Sequence, residues 1–159
     1  MIQQLNNVAV EVSQQIYQVF QRSYKIEAEL IGVENFPPLS RSVEQIRQST
    51  NEFYGVIIEG ELAGVIEVSL KEPSAQDISK TTLEIESLTV SPLFFKQGIA
   101  SRLIEFVLQN KAFEYAIVET AAVNQPAIRL YDKHGFRVFK QFTPEHGIEK
   151  VALKQNGYK

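Results

Sequence analysis

Apolar residues recur along this chain with two different periods, one helical and one typical of strands. The helical period is clearest after residue 98, where apolar residues at i, i+3, i+4 and i+7 form one face: Ile99, Ala100, Leu103, Ile104, Val107 and Leu108. An earlier stripe of Val8, Val12, Ile16, Val19, Phe20 and Tyr24, extended by Ile26, Leu30 and Ile31, predicts a long first helix. We expect Asn6 or Asn7 to cap this helix and Gly32 to end it.

Strand-like alternation predicts most of the remaining elements. The segments are 53–59, 62–70, 82–90, 115–121, 137–143 and 148–153, with a short edge strand expected in residues 1–5. Gly60 between the first two favours a hairpin turn, and Lys71 to Thr81, with Pro73, is expected to be a surface loop. Ser42 and Gln45 predict a capping box for a short helix over residues 43–49. Residues 144–147 are expected to form the last turn.

The segment from Thr82 to Ala121 has the order strand, helix, strand. Two strands joined by a helix pair in parallel through a right-handed crossover, so this segment predicts one parallel pair. A second helix is expected after it, with Asn124 as its cap, Pro126 in its first turn and Gly135 just past its end. No internal repeat or second domain is apparent, and we expect one domain over residues 1–159.

The stretch from Ser91 to Ser101 lies between a predicted strand and a predicted helix. The first amides of a helix have no intrahelical partner and carry the positive end of the helix dipole. Gly98 lacks a Cβ, so a ligand can approach the backbone there, and Lys96 adds a positive charge. The pattern is that of an anion cradle, although a simple glycine-relieved turn produces the same residues.

Two runs together resemble the motifs of the Gcn5-related N-acetyltransferases. Leu88-Thr89-Val90-Ser91-Pro92, followed by Gly98-Ile99-Ala100, is similar to the acetyl-CoA-binding motif and the strand end before it. The run from Asn124 to Phe136 is similar to the second motif, Asn-x-x-Ala-x-x-Leu-Tyr-x-x-x-Gly-Phe. The resemblance covers residues 53–142 well and the first fifty residues loosely. Phe95 departs from the acetyl-CoA-binding motif, since the family usually has Arg or Gln at that position. The backbone amides of the cradle do not depend on this side chain.

The resemblance implies an α/β (α+β) fold with a mixed, mostly antiparallel sheet, helices on both faces and one parallel strand pair at the cofactor site. It implies direct transfer of an acetyl group from acetyl-CoA to a primary amine on a small molecule or a peptide. The alternative is an acyl-CoA sensor with the same fold and little catalysis. A nucleotide-binding protein is disfavoured because the full Gly-x-Gly-x-x-Gly spacing and a phosphate-loop Gly-Lys-Ser/Thr are both missing.

The resemblance also assigns candidate site residues. The cofactor set is Leu88, Thr89, Val90, Phe95, Lys96, Gln97, Gly98, Ile99, Ala100, Ser101, Asn124 and Tyr131. Tyr131 is the expected general acid, and Glu119 the expected general base. Glu119 lies in an otherwise apolar strand, where an unpaired carboxylate is costly, and Glu86 is the competing base. A structural role is the alternative for each.

The acceptor side is expected in the segment after the first helix. In the family this segment commonly shapes the acceptor pocket, and here Tyr24, Glu27, Phe36 and Leu39 are the candidates. The adjacent prolines Pro37 and Pro38 favour a stiff, extended loop. A plain helix–helix connector with Phe36 in the core is the alternative.

Composition narrows the remaining possibilities. The net charge is −3 and basic residues are not clustered, which disfavours nucleic acid or an anionic membrane as a partner. Cysteine is absent, so disulfides and thiolate chemistry are excluded. His134 and His146 lack a metal-ligand pattern, so no metal is expected. No apolar run approaches a membrane span and no signal peptide is apparent, so we expect a cytoplasmic location. We also expect a monomer or a homodimer.

Overall fold

The computed structural model describes residues 1–72 and 81–156 of the chain. Its strands are β1 (Ile2–Leu5), β2 (Glu52–Ile58), β3 (Glu61–Lys71), β4 (Thr82–Val90), β5 (Tyr115–Ala121), β6 (Arg137–Phe142) and β7 (Lys150–Asn156). Its helices are α1 (Val10–Ile31), α2 (Val43–Gln48), α3 (Ile99–Asn110) and α4 (Gln125–Lys133), with 3-10 turns at Pro37–Ser40 and Pro92–Phe94. Most of the expected loop from Lys71 to Thr81 falls outside the described residues.

The strands form one seven-stranded sheet in the order β1-β2-β3-β4-β5-β7-β6. β4 and β5 pair in parallel, with Thr82 opposite Tyr115 and Ile85 opposite Val118. The pairs β1–β2, β5–β7 and β6–β7 are antiparallel. The sequence prediction of a mixed, mostly antiparallel sheet with one parallel pair is therefore confirmed.

Two compact units can be distinguished, and both β3 and β4 contribute residues to each. Unit 1 comprises Met1–Glu67 and Ser87–Leu103, and unit 2 comprises Val68–Glu86 and Ile104–Lys159. The expectation of one domain over residues 1–159 stays a prediction.

The core of unit 1 forms between α1, α2 and the first strands. Its buried members are Leu5, Ile16, Val19, Phe20, Ile46, Phe53, Leu62 and Val65. The apolar stripe predicted for α1 is buried at its centre, as expected, but residues at both of its ends are exposed. Val8 is 60% exposed because α1 begins only at Val10, and Ile26 and Leu30 are exposed because Ala28 takes the buried position near the end of the helix.

The predicted cap of α1 is also wrong. Ala9 occupies the N-cap position and makes no side-chain capping bond. The Asn7 amide instead donates hydrogen bonds to the carbonyls of Ile46, at 2.7 Å, and Ser49, at 3.0 Å. The last carbonyls of a helix have no intrahelical partner, so the end of α2 competes successfully for this side chain.

The other local signals in unit 1 are confirmed. Gly32 ends α1 with φ +75°, and its N–H donates to the carbonyls of the last turn. Ser42 and Gln45 form the predicted capping box at the start of α2. Glu59 and Gly60, with φ of +50° and +80°, form the hairpin turn between β2 and β3.

Unit 2 contains the parallel pair, α4 and the two final strands. Pro126 lies in the first turn of α4, and Gly135, with φ +88°, follows its C-cap residue His134. The strand predicted over residues 148–153 begins at Lys150 and runs to Asn156. β6 pairs with β7 and is exposed along most of its length.

Candidate active site

The predicted anion cradle lies in unit 1, at the start of α3. After β4 the chain makes the 3-10 turn Pro92–Phe94, and α3 begins at Ile99. Gly98 has φ +74°, a conformation that suits glycine, and its carbonyl accepts the N–H of Arg102 at 3.0 Å. Lys96 is also in the left-handed region, with φ +63°. The backbone therefore turns sharply just before the helix.

The space around the cradle is suited to an anionic ligand. A Cβ built on Gly98 would meet no atom within 4 Å, so the backbone is open to close approach. The first turn of α3 contains no acidic side chain to occupy the positive end of the dipole. Phe95 is 43% exposed and Lys96 is exposed as well. The assignment of these residues to the phosphates of a coenzyme stays a prediction.

Two buried hydroxyl groups lie at the end of β4 and just after it, on Thr89 and Ser91. Thr89 and Ser91 are each 2% exposed, and neither Thr89 Oγ1 nor Ser91 Oγ has a hydrogen-bond partner among the described residues. Buried polar atoms without partners are uncommon in proteins. The family resemblance names Thr89 as a cofactor contact, whereas Ser91 is not among the predicted site residues. Leu88 and Val90 are half-buried on the other face.

Three of the four predicted acceptor-side residues lie together in unit 1. The Tyr24 ring packs edge to face on Phe20, at 5.6 Å between centroids, and on Phe36, at 5.8 Å. The Leu39 amide donates to the Phe36 carbonyl, and the Leu39 carbonyl accepts from Gln21. Phe36 is buried, as the connector alternative predicted, and it also contacts the Tyr24 ring.

Burial raises the pKa of the Tyr24 phenol, and the charges of Glu27 and Glu67 raise it further. The Ser87 hydroxyl and the Arg41 guanidinium act in the opposite direction with smaller effects. Tyr24 therefore remains a neutral phenol, able to donate a hydrogen bond. Glu27, the fourth predicted residue, is close enough to affect it.

Glu67 is a functional candidate that sequence reasoning missed. Its side chain is 1% exposed and accepts hydrogen bonds from Arg41, at 2.6 and 2.9 Å, Asn51, at 2.9 Å, Ser87, at 2.9 Å, and Ser49, at 3.4 Å. Burial raises the pKa of this carboxyl, but the hydrogen bonds from Arg41, Asn51 and Ser87 together hold it below its usual range. The sequence did contain a sign of this role, because Glu67 is a carboxylate in an otherwise apolar strand, as Glu119 is.

The two candidate bases lie in unit 2, near a third carboxyl group. The Glu119 side chain is 48% exposed, with Lys150 Nζ 3.3 Å from its carboxylate. Glu86 is exposed and accepts a hydrogen bond from Ser69 Oγ at 2.7 Å. Burial raises the pKa of Glu84, and the neighbouring Glu86 and Glu119 charges raise it further, against the opposing effect of Lys71. The structure thus brings Glu84, Glu86 and Glu119 into one electrostatic group.

Tyr131 and Asn124 lie on α4, also in unit 2. Tyr131 is buried, and its ring packs edge to face on Phe136 at 5.7 Å. Asn124 Oδ1 accepts the Ala127 N–H at 3.2 Å, so Asn124 is the helix cap predicted from the sequence. Burial lowers the pKa of His134, the C-cap residue. Among the described residues, no group of three or more His, Asp or Glu is arranged to hold a metal ion.

The sequence profile of one family matches most of the chain. That family is described as the acetyltransferase (GNAT) family, and the match covers residues 13–136. The UPF0157 protein YqkA of Bacillus subtilis (strain 168) is 33% identical over 149 residues, which is 93% of this chain. The chain spans 41% of the length of that relative.

Solved structures show the same fold at low sequence identity. The ribosomal-protein-S18-alanine N-acetyltransferase from Escherichia coli has a TM-score of 0.74 and 16% identity, over 100% of this chain and 94% of that one. The NatC complex bound to Gag peptide and CoA has a TM-score of 0.69 and 16% identity, over 99% and 98%. In residues 1–72 and 81–156, no helix is both long and apolar enough to cross a membrane.

Proposed function

The chain belongs to the GNAT acetyltransferase family, and from this premise we propose that it transfers an acetyl group from acetyl-CoA directly to a primary amine. The observation that carries the proposal is the start of α3. Gly98 turns the backbone with φ +74°, the space above it is open, and the first helical turn has no acidic side chain. A helix start of this kind favours bound phosphate groups.

Residues from Phe95 to Ser101 would hold the phosphates mainly through backbone amides. Phe95 cannot contribute a charge, and Lys96 is the cation nearest in sequence to Gly98. Leu88, Thr89 and Val90 would bind the remainder of the coenzyme along the end of β4, with Asn124 and Tyr131 as further contacts. Acetyl-CoA, when bound, supplies an activated thioester, and the protein supplies orientation and proton transfer.

Each step of the transfer has a candidate group in this chain. Glu119, or Glu86 in its place, would accept the proton that the acceptor amine loses as it attacks the thioester carbonyl. A backbone amide between Leu88 and Val90 would donate to the carbonyl oxygen as negative charge develops there. The Tyr131 phenol would donate a proton to the departing sulfur. One N–C bond forms and one S–C bond breaks.

The acceptor is proposed to be a primary amine on a small molecule or a peptide. The group of Glu84, Glu86 and Glu119, which includes both candidate bases, would favour a cationic amine. We place the protein in the cytoplasm, where acetyl-CoA is available, as a monomer or a homodimer. Neither a metal nor a nucleic acid is part of the proposal.

The test combines acetyl-CoA titration by calorimetry with an acetylation assay read by mass spectrometry. The amine probes are an alanine-headed hexapeptide, Nα-acetyl-lysine methylamide, spermidine and glucosamine. Binding together with a mass gain of one acetyl group on any probe supports the proposal. Tight binding without transfer to any of them would favour an acyl-CoA sensor, and the absence of binding would overturn both.

A further inference from the structure

The Glu67 carboxylate joins segments of unit 1 that are far apart in the sequence. Its donors are Arg41, between the first 3-10 turn and α2, Ser49 and Asn51, between α2 and β2, and Ser87 on β4. With its side chain 1% exposed, the carboxylate has almost no access to water. All of its strong contacts are therefore made with the protein.

Such a group is not explained by stability alone. Removing a carboxylate and a guanidinium from water is costly, and an apolar pair of similar volume is often as stable. Here the pairing is bidentate and is supported by the Asn51 amide and the Ser87 hydroxyl, so the geometry of the group is closely defined. A carboxylate held in such closely defined geometry is well suited to fixing the position of the side chain that pairs with it.

Arg41 is the side chain whose position the Glu67 carboxylate fixes. The Arg41 backbone ends the 3-10 turn Pro37–Ser40, with its N–H donating to the Pro38 carbonyl. Its guanidinium lies 5.7 Å from the centre of the Phe20 ring and 5.8 Å from that of Phe53, which restricts it further. Fixing this side chain over the core therefore fixes one end of the turn.

The same turn and the residue before it carry two of the four acceptor-side candidates, Leu39 and Phe36. Phe36 precedes the turn and packs on the Tyr24 ring, and Leu39 lies within it. The Ser87 hydroxyl that donates to Glu67 also lies next to the Tyr24 phenol. A shift of Arg41 would move Leu39, which is two residues away in the chain. It would also disturb Tyr24, because Arg41 and Ser87 share the Glu67 carboxylate and Ser87 lies next to the Tyr24 phenol.

We propose that Glu67 is a positioning residue which, through Arg41, fixes residues 36–41 and thereby determines which amine the protein accepts. The inference rests on the proposed function for its second part, the choice of amine. Its first part, the fixing of the segment, is independent of any activity. Glu67 needs no direct contact with the acceptor.

The variants are Glu67→Gln and Arg41→Lys, with Glu44→Gln as the matched control. Glu67→Gln retains the shape of the side chain and removes its charge, and Arg41→Lys retains the charge and removes the bidentate geometry. Glu44 also pairs with an arginine, Arg47, at 3.1 Å, but its side chain is 60% exposed. Ser87→Ala, which removes one hydroxyl, serves if the charge variants fail to fold.

The first measurement is amide hydrogen exchange of the Leu39 N–H, which donates to the Phe36 carbonyl at 3.0 Å. We expect exchange at least tenfold faster in Glu67→Gln and Arg41→Lys, and little change in Glu44→Gln. Exchange that is unchanged in both folded variants, or in Ser87→Ala if it replaces them, would overturn the positioning role, whether or not the protein acetylates anything.

The second measurement is kcat/KM for the four amine probes, alongside acetyl-CoA affinity by calorimetry. We expect the ratio of kcat/KM between the best two probes to change at least fivefold, mainly through KM, while acetyl-CoA affinity changes less than twofold. An equal loss for all probes would overturn the role in specificity. If wild-type protein acetylates no probe, the proposed function fails, and the exchange experiment still tests the positioning of residues 36–41.

Discussion

Lys150 Nζ lies 3.3 Å from the carboxylate of Glu119, across the antiparallel pair of β5 and β7. The Glu119 side chain is about half exposed, so it is not the isolated buried charge that its apolar strand suggested. Surface ion pairs contribute roughly 0–1 kcal/mol to stability. Glu119 can therefore be replaced without unfolding the protein, and a loss of activity in such a variant would report on chemistry.

The first prediction assigns the base. Glu119→Gln should lower turnover most at low pH, because an amine that is mostly protonated depends on a positioned proton acceptor. Glu86→Gln should have little effect. The measurement is a pH-rate profile with the best probe for wild type and both variants. The reverse ranking would transfer the role to Glu86, and no effect from either would leave deprotonation to solvent.

Glu84 gives a prediction about stability. Burial and the neighbouring carboxylates raise the pKa of Glu84, so the folded state binds its proton more tightly than the unfolded state does. The stability associated with that proton is present below about pH 4.5, the ordinary value, and is lost as pH rises through the folded pKa. Glu84→Gln should therefore gain stability over wild type as pH rises above 4.5. Denaturant unfolding between pH 4 and 8 measures this, and a difference independent of pH would contradict it.

The cradle gives a prediction about coenzyme affinity. A side chain at Gly98 meets no atom of the protein but must adopt φ +74°, which costs a non-glycine residue roughly 1–2 kcal/mol. Gly98→Val should weaken acetyl-CoA binding by roughly tenfold or more, about 1.4 kcal/mol, because the side chain occupies the approach to the backbone. Calorimetry measures this affinity.

Gly32→Val is the matched control for the cradle. Gly32 has φ +75° and equally open surroundings, but it lies at the end of α1. Its substitution should therefore cost similar stability and leave acetyl-CoA affinity unchanged. Equal affinity in the two folded variants would remove Gly98 from the coenzyme site.

The sequence predicted the elements that depend on local chemistry. The capping box of Ser42 and Gln45, the hairpin turn at Gly60 and the buried face of α3 each follow from residues a few positions apart, and all are present. The parallel pair followed from the order strand, helix, strand, which leaves few topologies. Local consistency of this kind is where sequence reasoning is strongest.

The sequence could not predict pairings between distant segments. Asn7 binds carbonyls about 40 positions away, and Glu67 binds Arg41 across 26 positions. The residue types permit many partners, and the tertiary arrangement selects one. The raised pKa of Glu84 has the same origin, because it depends on carboxyl groups of both β4 and β5. The coenzyme, base and acid assignments stay predictions from the family resemblance.

Glu67 gives a stability prediction with the opposite sign to that of Glu84. Despite its burial, hydrogen bonds lower the pKa of Glu67 in the folded state. Its stabilisation is therefore present above about pH 4.5, its ordinary value, and is lost as pH falls through the folded pKa. Glu67→Gln should cost about 3–5 kcal/mol at pH 7, because it removes the buried bidentate ion pair between Glu67 and Arg41.

The measurement for Glu67 is denaturant unfolding of wild type and variant from pH 7 down to pH 3. The difference between the two should shrink as pH falls below 4.5. Glu44→Gln, at an exposed pair, should differ from wild type by less than about 1 kcal/mol at every pH. A constant difference between Glu67→Gln and wild type would show that the charge of Glu67 contributes little.

The last prediction concerns Tyr131 as the general acid. A free thiol has a pKa of about 8.5, so its thiolate leaves tolerably well without assistance, and the acid need not dominate the barrier. A positioned general acid typically contributes about 10²–10⁴-fold, and we expect a contribution near the lower end. Tyr131→Phe keeps the ring, and with it the edge-to-face contact with Phe136, and removes only the hydroxyl. Turnover should fall roughly 10- to 100-fold, with acetyl-CoA affinity little changed.

The choice of acceptor determines how clearly this effect appears. An amine like that of lysine, with a pKa of about 10.4, makes deprotonation the harder step and reduces the effect of losing Tyr131. An α-amine near 8 leaves it clearer, so the alanine-headed hexapeptide is the better probe if it is accepted. Steady-state kinetics of folded Tyr131→Phe with that peptide and with Nα-acetyl-lysine methylamide tests both parts. Wild-type turnover with both would show that the role of Tyr131 is structural.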